Sequence, residues 1–211
     1  MAYKNFKLEN IENDLGIIHQ SFSFLPTHLP NFVPTNIFMT ILNENSHEPI
    51  YTEKAKSEMI ITPTLMELKR QNNNKFSFFS GYEFNVNTKL LLKGYCDFLL
   101  SAVPNSLIIK APVFCLVEAK RGEIEEGFGQ CAAEMYAAQI FNEKNINNNL
   151  HKIIYGCVTN GFTWAFLKLE NKNLFIDTNY VPFTFSEPNK VLSILQWILD
   201  ETLPMYTLEP K

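Results

Sequence analysis

Residues Phe114–Gly122 read FCLVEAKRG. The stretch opens as a continuous apolar run, the pattern of a strand covered on both faces. It then places Glu118 and Lys120 two residues apart. Side chains alternate along a strand, so Phe114, Leu116, Glu118 and Lys120 are expected on one face, with Val113, Cys115, Val117 and Ala119 on the other. A carboxylate and an ammonium therefore project together from the end of a face that begins apolar. The preceding strand-like run, LLLKGYCDFLLS, carries a second intrusion, Asp97 between Cys96 and Phe98. If the two runs pair as a hairpin, Asp97 lies beside Glu118. Two carboxylates that close repel each other and are costly in a partly apolar site. A divalent cation cancels that cost. Mg²⁺ is commonly held by one or two carboxylates, with waters and phosphate oxygens completing its shell.

Working outward, the helix and strand patterns give an element order. TEKAKSEMIITPTLMELKR, over about 52–70, has Ala55, Met59, Ile60, Leu65 and Met66 at roughly helical spacing. Pro63 removes one backbone bond there, which predicts a kink or two helices. FSFFSGYEFNV reads as one or two strands, and VPNSLIIKAP as the loop joining the two runs above. GEIEEGFGQCAAEMYAAQIFNEK is the strongest helix, with a stripe of Ile124, Phe128, Cys131, Met135 and Ala138. After the polar break NINNN, KIIYGCVT is a strand; Asn160-Gly161 supplies a two-residue hairpin turn and FTWAFLKLE returns. NLFID and VPFTF are weaker strands, and KVLSILQWILDE closes the chain as an amphipathic helix. The order implies an α/β domain, a mixed sheet with helices on its faces. Residues 1–50 read as an N-terminal extension packed on the core, with LPTHLPNFVP extended and TNIFMTILNEN a short helix capped by Thr35 or Asn36. Residues 51–211 read as one domain.

Composition bounds the function. Of 211 residues, 46% are hydrophobic and 13% aromatic, a globular composition. The net charge of −4 argues against nucleic-acid binding by surface charge alone, so such a reading needs a local basic patch or a bound metal. No apolar run is long enough to span a bilayer, which predicts no membrane partner, and the polar start MAYKNFKLENIEND resembles neither a signal nor a transit peptide. Cys96, Cys115, Cys131 and Cys157 lack Cys-x-x-Cys spacing and sit in apolar runs. They are expected as buried free thiols in a reducing, cytoplasmic setting, and not as a zinc or iron–sulfur site.

Asp97, then Glu118-Ala119-Lys120, then a helix carrying Gln130, resembles the PD-(D/E)XK nuclease superfamily. The resemblance covers about 52–160. It implies a restriction-endonuclease-like core of order αβββαβ, here with extra C-terminal strands and a helix. It further implies that Asp97 and Glu118, with the Ala119 carbonyl, bind Mg²⁺ or Mn²⁺. Lys120 would position and activate water, and Gln130 would steady the site. Many members carry a glutamate on the first helix. Glu58 is the expected one and Glu67 the rival; nine residues apart, they face differently on an unbroken helix. The implied activity is phosphodiester hydrolysis in DNA, in restriction, defence or repair, by a chain that could act as a homodimer. The alternative is a non-catalytic binding or assembly module of the same fold.

The remaining polar groups have plainer readings. Glu123, Glu125 and Glu126 suit a solvated helix start. Glu134, one turn after Gln130, could face the site but reads first as a surface residue. Lys54, Lys56, Lys69, Arg70 and Arg121 could line a phosphate track but read first as surface charges. Phe162, Trp164 and Phe166 alternate and are expected in the core. His19, His28, His47 and His151 show no ligand spacing.

Overall fold

The computed structural model describes residues 3–146 and 153–207. His151, Lys152 and most of the polar break after the long helix lie outside the described residues. The chain builds a mixed sheet covered on both faces. Its elements are α1 (Ile11–Leu15), β1 (Ile18–Ser21), α2 (Asn36–Asn45), α3 (Glu53–Lys56), α4 (Thr62–Gln71), β2 (Ser77–Glu83), β3 (Tyr95–Ser101), β4 (Val113–Ala119), α5 (Phe128–Asn145), β5 (Ile153–Thr159), β6 (Thr163–Glu170), β7 (Asn173–Ile176), β8 (Val181–Pro182) and α6 (Asn189–Thr207).

The strand order is β1-β7-β6-β5-β4-β3-β2, with β8 paired to β6 in an eight-stranded sheet. Strands β2, β3 and β4 form an antiparallel meander. Strand β5 then joins β4 in parallel after α5 has crossed one face. Two neighbouring strands of the same direction need such a crossover. Their carboxyl ends, at Ala119 and Thr159, lie side by side. In α/β sheets, that end beside the crossover helix is where ligands are commonly received.

Two apolar clusters sandwich the sheet. One packs α5 against Leu99, Leu116, Val158 and Leu167. The other packs α4 and α6 against Phe98, Phe114, Val117, Cys157 and Trp164. The first fifty residues enter both, through Tyr3, Phe6 and Ile17 on one side and Phe32, Phe38 and Leu42 on the other. Helix α2 is capped by Thr35, whose side chain accepts the Phe38 N–H. All four cysteines are free and buried. Among the described residues, no helix is long and apolar enough to cross a membrane.

Three local expectations are corrected. Phe114 does not share a face with Leu116; it joins the opposite cluster. The register passes from Leu100↔Cys115 to Ser101↔Val113, so Phe114 is an extra residue in a β-bulge that breaks the alternation. The β5–β6 turn is also shifted by one. Asn160 N donates to Thr163 O at 3.2 Å, leaving Gly161, at φ 88°, and Phe162 as its two central residues. The Asn160 side chain causes the shift, because its Oδ1 accepts from the backbone of Phe162 and Thr163. Phe162 is consequently exposed against Phe185, whereas Trp164 and Phe166 are buried as expected.

Candidate active site

The long first helix is broken where Pro63 demands it. Between α3 and α4 the chain makes a wider π-type turn, Ser57–Ile61, and Pro63 then sits in the first turn of α4, where its missing N–H costs nothing. The extra residue in that turn resets the angular phase of everything before it. Glu67 therefore faces the interior on the side of α2. It accepts from Thr35 N (2.7 Å), Thr35 Oγ1 (3.0 Å), Arg70 Nη1 (2.6 Å) and Gln71 Nε2 (2.7 Å). This rival is thus a structural carboxylate that anchors the start of α2. Glu58 lines a cleft of about 270 Å³ together with Glu53, Lys54, Ser80, Gly81 and Asp97. It is exposed and pairs with Lys54 at 3.8 Å.

Asp97 stands where the β3–β4 ladder opens. The paired register runs to Phe98↔Val117. Beyond it, Asp97 Oδ2 accepts the Ala119 N–H at 2.8 Å, a side chain standing in for a main-chain acceptor. Cys96 and Phe98 enter opposite clusters although they share a parity, so the pleat is interrupted at Asp97. Gly81, at φ 58°, lies across from Asp97 on edge strand β2, and its lack of a side chain leaves the cleft open there.

Glu118 and Lys120 project toward α5. Lys120 Nζ donates to Glu118 Oε1 at 2.6 Å and to Gln130 Oε1 at 3.0 Å. Gln130 Nε2 in turn donates to Glu134 Oε1 at 3.1 Å. The Asp97 carboxyl is close enough to Glu118 for its charge to act on it. The structure therefore brings Asp97, Glu118, Ala119, Lys120 and Gln130 into one cluster.

Sequence reasoning missed Glu53 and placed Glu134 first at the surface. Glu134 is not at the surface: it is fully buried. Its neighbours Ala132, Ala133, Met135, Ala137 and Ala138 are all apolar, which in retrospect marks a buried segment. Glu53 is the helix carboxylate whose charge reaches both Asp97 and Lys120. Lys56, one turn on, donates to Arg121 O at 2.6 Å. Helix α3 thus grips the backbone immediately after Lys120.

The electrostatics follow from this crowding. Burial, then the charges of Glu134 and Asp97, pushes the Glu118 carboxyl well above its usual range, against the opposing pull of Lys120. Burial, reinforced by Asp97, raises Glu134 to about 8, even though its Gln130 hydrogen bond acts the other way. Burial raises Asp97 too, against the Ala119 hydrogen bond and Lys120. Desolvation opposes the Lys120 charge, but Glu118, Glu53 and Asp97 outweigh it and hold the amine above its usual value. Lys120 is therefore a cation at neutral pH, suited to donate hydrogen bonds and stabilise negative charge.

Among the described residues, no three His, Cys, Asp or Glu side chains are arranged to enclose a metal ion by themselves. Two carboxylates suffice for a Mg²⁺ that keeps waters and phosphate oxygens. Glu118 Oε2 and Glu134 Oε2 are buried without a hydrogen-bond partner among the described residues. A buried, partnerless carboxylate oxygen next to a second raised acid is the donor chemistry a hard divalent cation satisfies.

This yields a pH prediction for the metal-free chain. An acid whose folded pKa is raised loses stability as pH climbs from its unfolded value to its folded one. Melting temperature should therefore fall between about pH 5 and pH 8, the window set by ordinary glutamate and by Glu134 at about 8. Mn²⁺ should raise it more at pH 8 than at pH 6. A Mn²⁺ shift that shrinks with rising pH would contradict this electrostatic account.

Glycine matters at a second position, Gly127. A Cβ on Gly127 would meet Val158 Cγ1 at 2.6 Å and Lys120 Cε at 2.9 Å. Gly127→Ala should displace Lys120 and lower any Lys120-dependent activity about tenfold or more, while an Ala at open Gly122 should not. Comparison with protein-family models, curated proteins and solved structures finds no match to this chain.

Proposed function

We propose that this chain is a Mg²⁺- or Mn²⁺-dependent nuclease of the PD-(D/E)XK type, hydrolysing phosphodiester bonds in DNA. The observation that carries the reading is the convergence of Asp97, Glu118 and Lys120 beside an open cleft, at the splayed ends of β3 and β4. The element order supports it: a helix pair, an antiparallel three-stranded meander, a crossover helix and a parallel strand, as in a restriction-endonuclease-like core.

Asp97 and Glu118 would hold the metal, with the Ala119 carbonyl as a further oxygen. Bound there, a divalent ion offsets phosphate charge and lowers the pKa of water. Lys120, held toward the acids, donates to the attacking water or to a non-bridging phosphate oxygen as charge builds up. Gln130 fixes the ammonium from the α5 side. Lys56 fixes the following backbone. The cleft mouth is acidic, with Glu53, Glu58 and Asp97 facing only Lys54, so phosphate entry depends on the cation. Restriction, defence or repair is the setting this activity fits, and a homodimer would let two such sites cut both strands.

A second reading, a non-catalytic module of the same fold, is favoured by two of the basic residues that could line a phosphate track being committed elsewhere. Lys56 is committed to Arg121 O and Arg70 to Glu67. The test is plasmid nicking and linear-DNA degradation with Mg²⁺ or Mn²⁺, with EDTA as control. Cleavage is expected, and Lys120→Ala should reduce it roughly 10²–10³-fold. Absence of Mn²⁺ binding by calorimetry would favour the module. Undiminished cleavage by Lys120→Ala would place the activity elsewhere.

A further inference from the structure

We propose that Glu134 is a positioning residue: its carboxyl sets which way round the Gln130 amide sits, and through that amide holds the Lys120 ammonium against Glu118. The inference rests on the nuclease reading for its catalytic consequence, but not for its geometry.

An ammonium can only donate hydrogen bonds, and a glutamine amide has one accepting and one donating end. Gln130 presents Oε1 to Lys120 at 3.0 Å and Nε2 to Glu134 at 3.1 Å. Turned about, the amide would set its NH₂ against the ammonium and lose the Lys120 contact. Gln130 is 8% exposed, and an acceptor is fixed at Glu134 one helical turn away, so the productive orientation is the one satisfied at both ends. Glu134 is fully buried, so its carboxyl is not a mobile surface group. It makes no hydrogen bond to Lys120 itself. Its hydrogen-bonded link to the ammonium runs through Gln130. The contact needs only a carbonyl-type oxygen at this place, so a glutamine at 134 should serve as well as a glutamate.

The experiment uses the full chain with Glu134→Gln, Glu134→Met, Gln130→Ala and the double variant Gln130→Ala/Glu134→Met. Two readouts are taken: the acetylation rate of Lys120 in metal-free protein by mass spectrometry, and Mn²⁺-dependent cleavage. Glu134→Met should release Lys120 to severalfold faster labelling and lower kcat about tenfold with KM unchanged. Glu134→Gln should match the parent chain within about twofold in Lys120 labelling, the readout that needs no metal. In the Gln130→Ala background, adding Glu134→Met should change neither readout. Wild-type labelling in Glu134→Met, equally fast labelling in Glu134→Gln, or an additive loss in the double variant would each overturn the proposal. If Glu134→Met does not melt cooperatively, the Gln130 side-chain amide protons serve instead. In ¹⁵N-labelled protein they should shift on Glu134→Gln, and unmoved resonances would overturn it. Labelling requires no turnover. Lys120 released by Glu134→Met in a chain that never cleaves DNA would uphold the positioning and remove the nuclease reading.

Discussion

Glu118→Gln should abolish Mn²⁺ binding and cut metal-dependent cleavage by roughly 10²–10³-fold, while raising the melting temperature of the metal-free chain. The two effects share one cause. Glu118 is 2% exposed, with Asp97 and Glu134 close by and one oxygen without a partner. Its negative charge is disfavoured by burial and by its acidic neighbours, and is the one the proposed divalent cation would need. Glutamine keeps the shape and can still accept the Lys120 hydrogen bond, but removes the repulsion. Relief of even about 1 kcal/mol raises the melting temperature of a chain this size about 2–4 °C. Differential scanning fluorimetry with and without Mn²⁺ checks both halves. Glu118→Gln melting well below the parent without metal would show that the carboxylate is a structural ion-pair member and not a ligand in waiting.

Glu67→Ala should do the reverse, costing about 3–5 kcal/mol and lowering the melting temperature on the order of 10 °C, with Mn²⁺ affinity unchanged. Glu67 is as buried as Glu118, yet its two oxygens take four hydrogen bonds. Removing it strands the Thr35 N–H at the start of α2 and leaves Arg70 unpaired. Calorimetric Mn²⁺ titration at a temperature where the variant is folded separates the two roles. Loss of metal binding by folded Glu67→Ala would return this residue to the site.

These two glutamates show why the site was only partly legible. The cluster of Asp97, Glu118 and Lys120 could be read because each charge interrupts an apolar strand, and strand alternation is a short-range rule. Gln130 was legible only through the resemblance to a nuclease superfamily, not by any spacing in the chain. The helix carboxylates could not be read. Glu53, Glu58, Glu67 and Glu134 all sit among helical spacings that look alike, and each is a normal residue for an exposed face. The π-type turn before Pro63 changed the phase between Glu53 and Glu67, a change no period of 3.6 predicts. Glu134 went inward because α5 is covered on nearly every side, by the sheet beneath and by the N-terminal segment above, whose backbone passes where a Cβ on Gly129 would meet it at 2.5 Å.

By itself the sequence determined the order of helices and strands, the α/β class, the four buried thiols and the three charged side chains at the end of two strands. Those follow from periodicity and from the cost of an isolated charge in an apolar run, both local properties of the chain. Tertiary structure alone decided which buried carboxylate is satisfied and which is left wanting. That depends on donors brought from far along the chain, Thr35 to Glu67 and Ala119 to Asp97, and no spacing along the sequence encodes where those donors arrive.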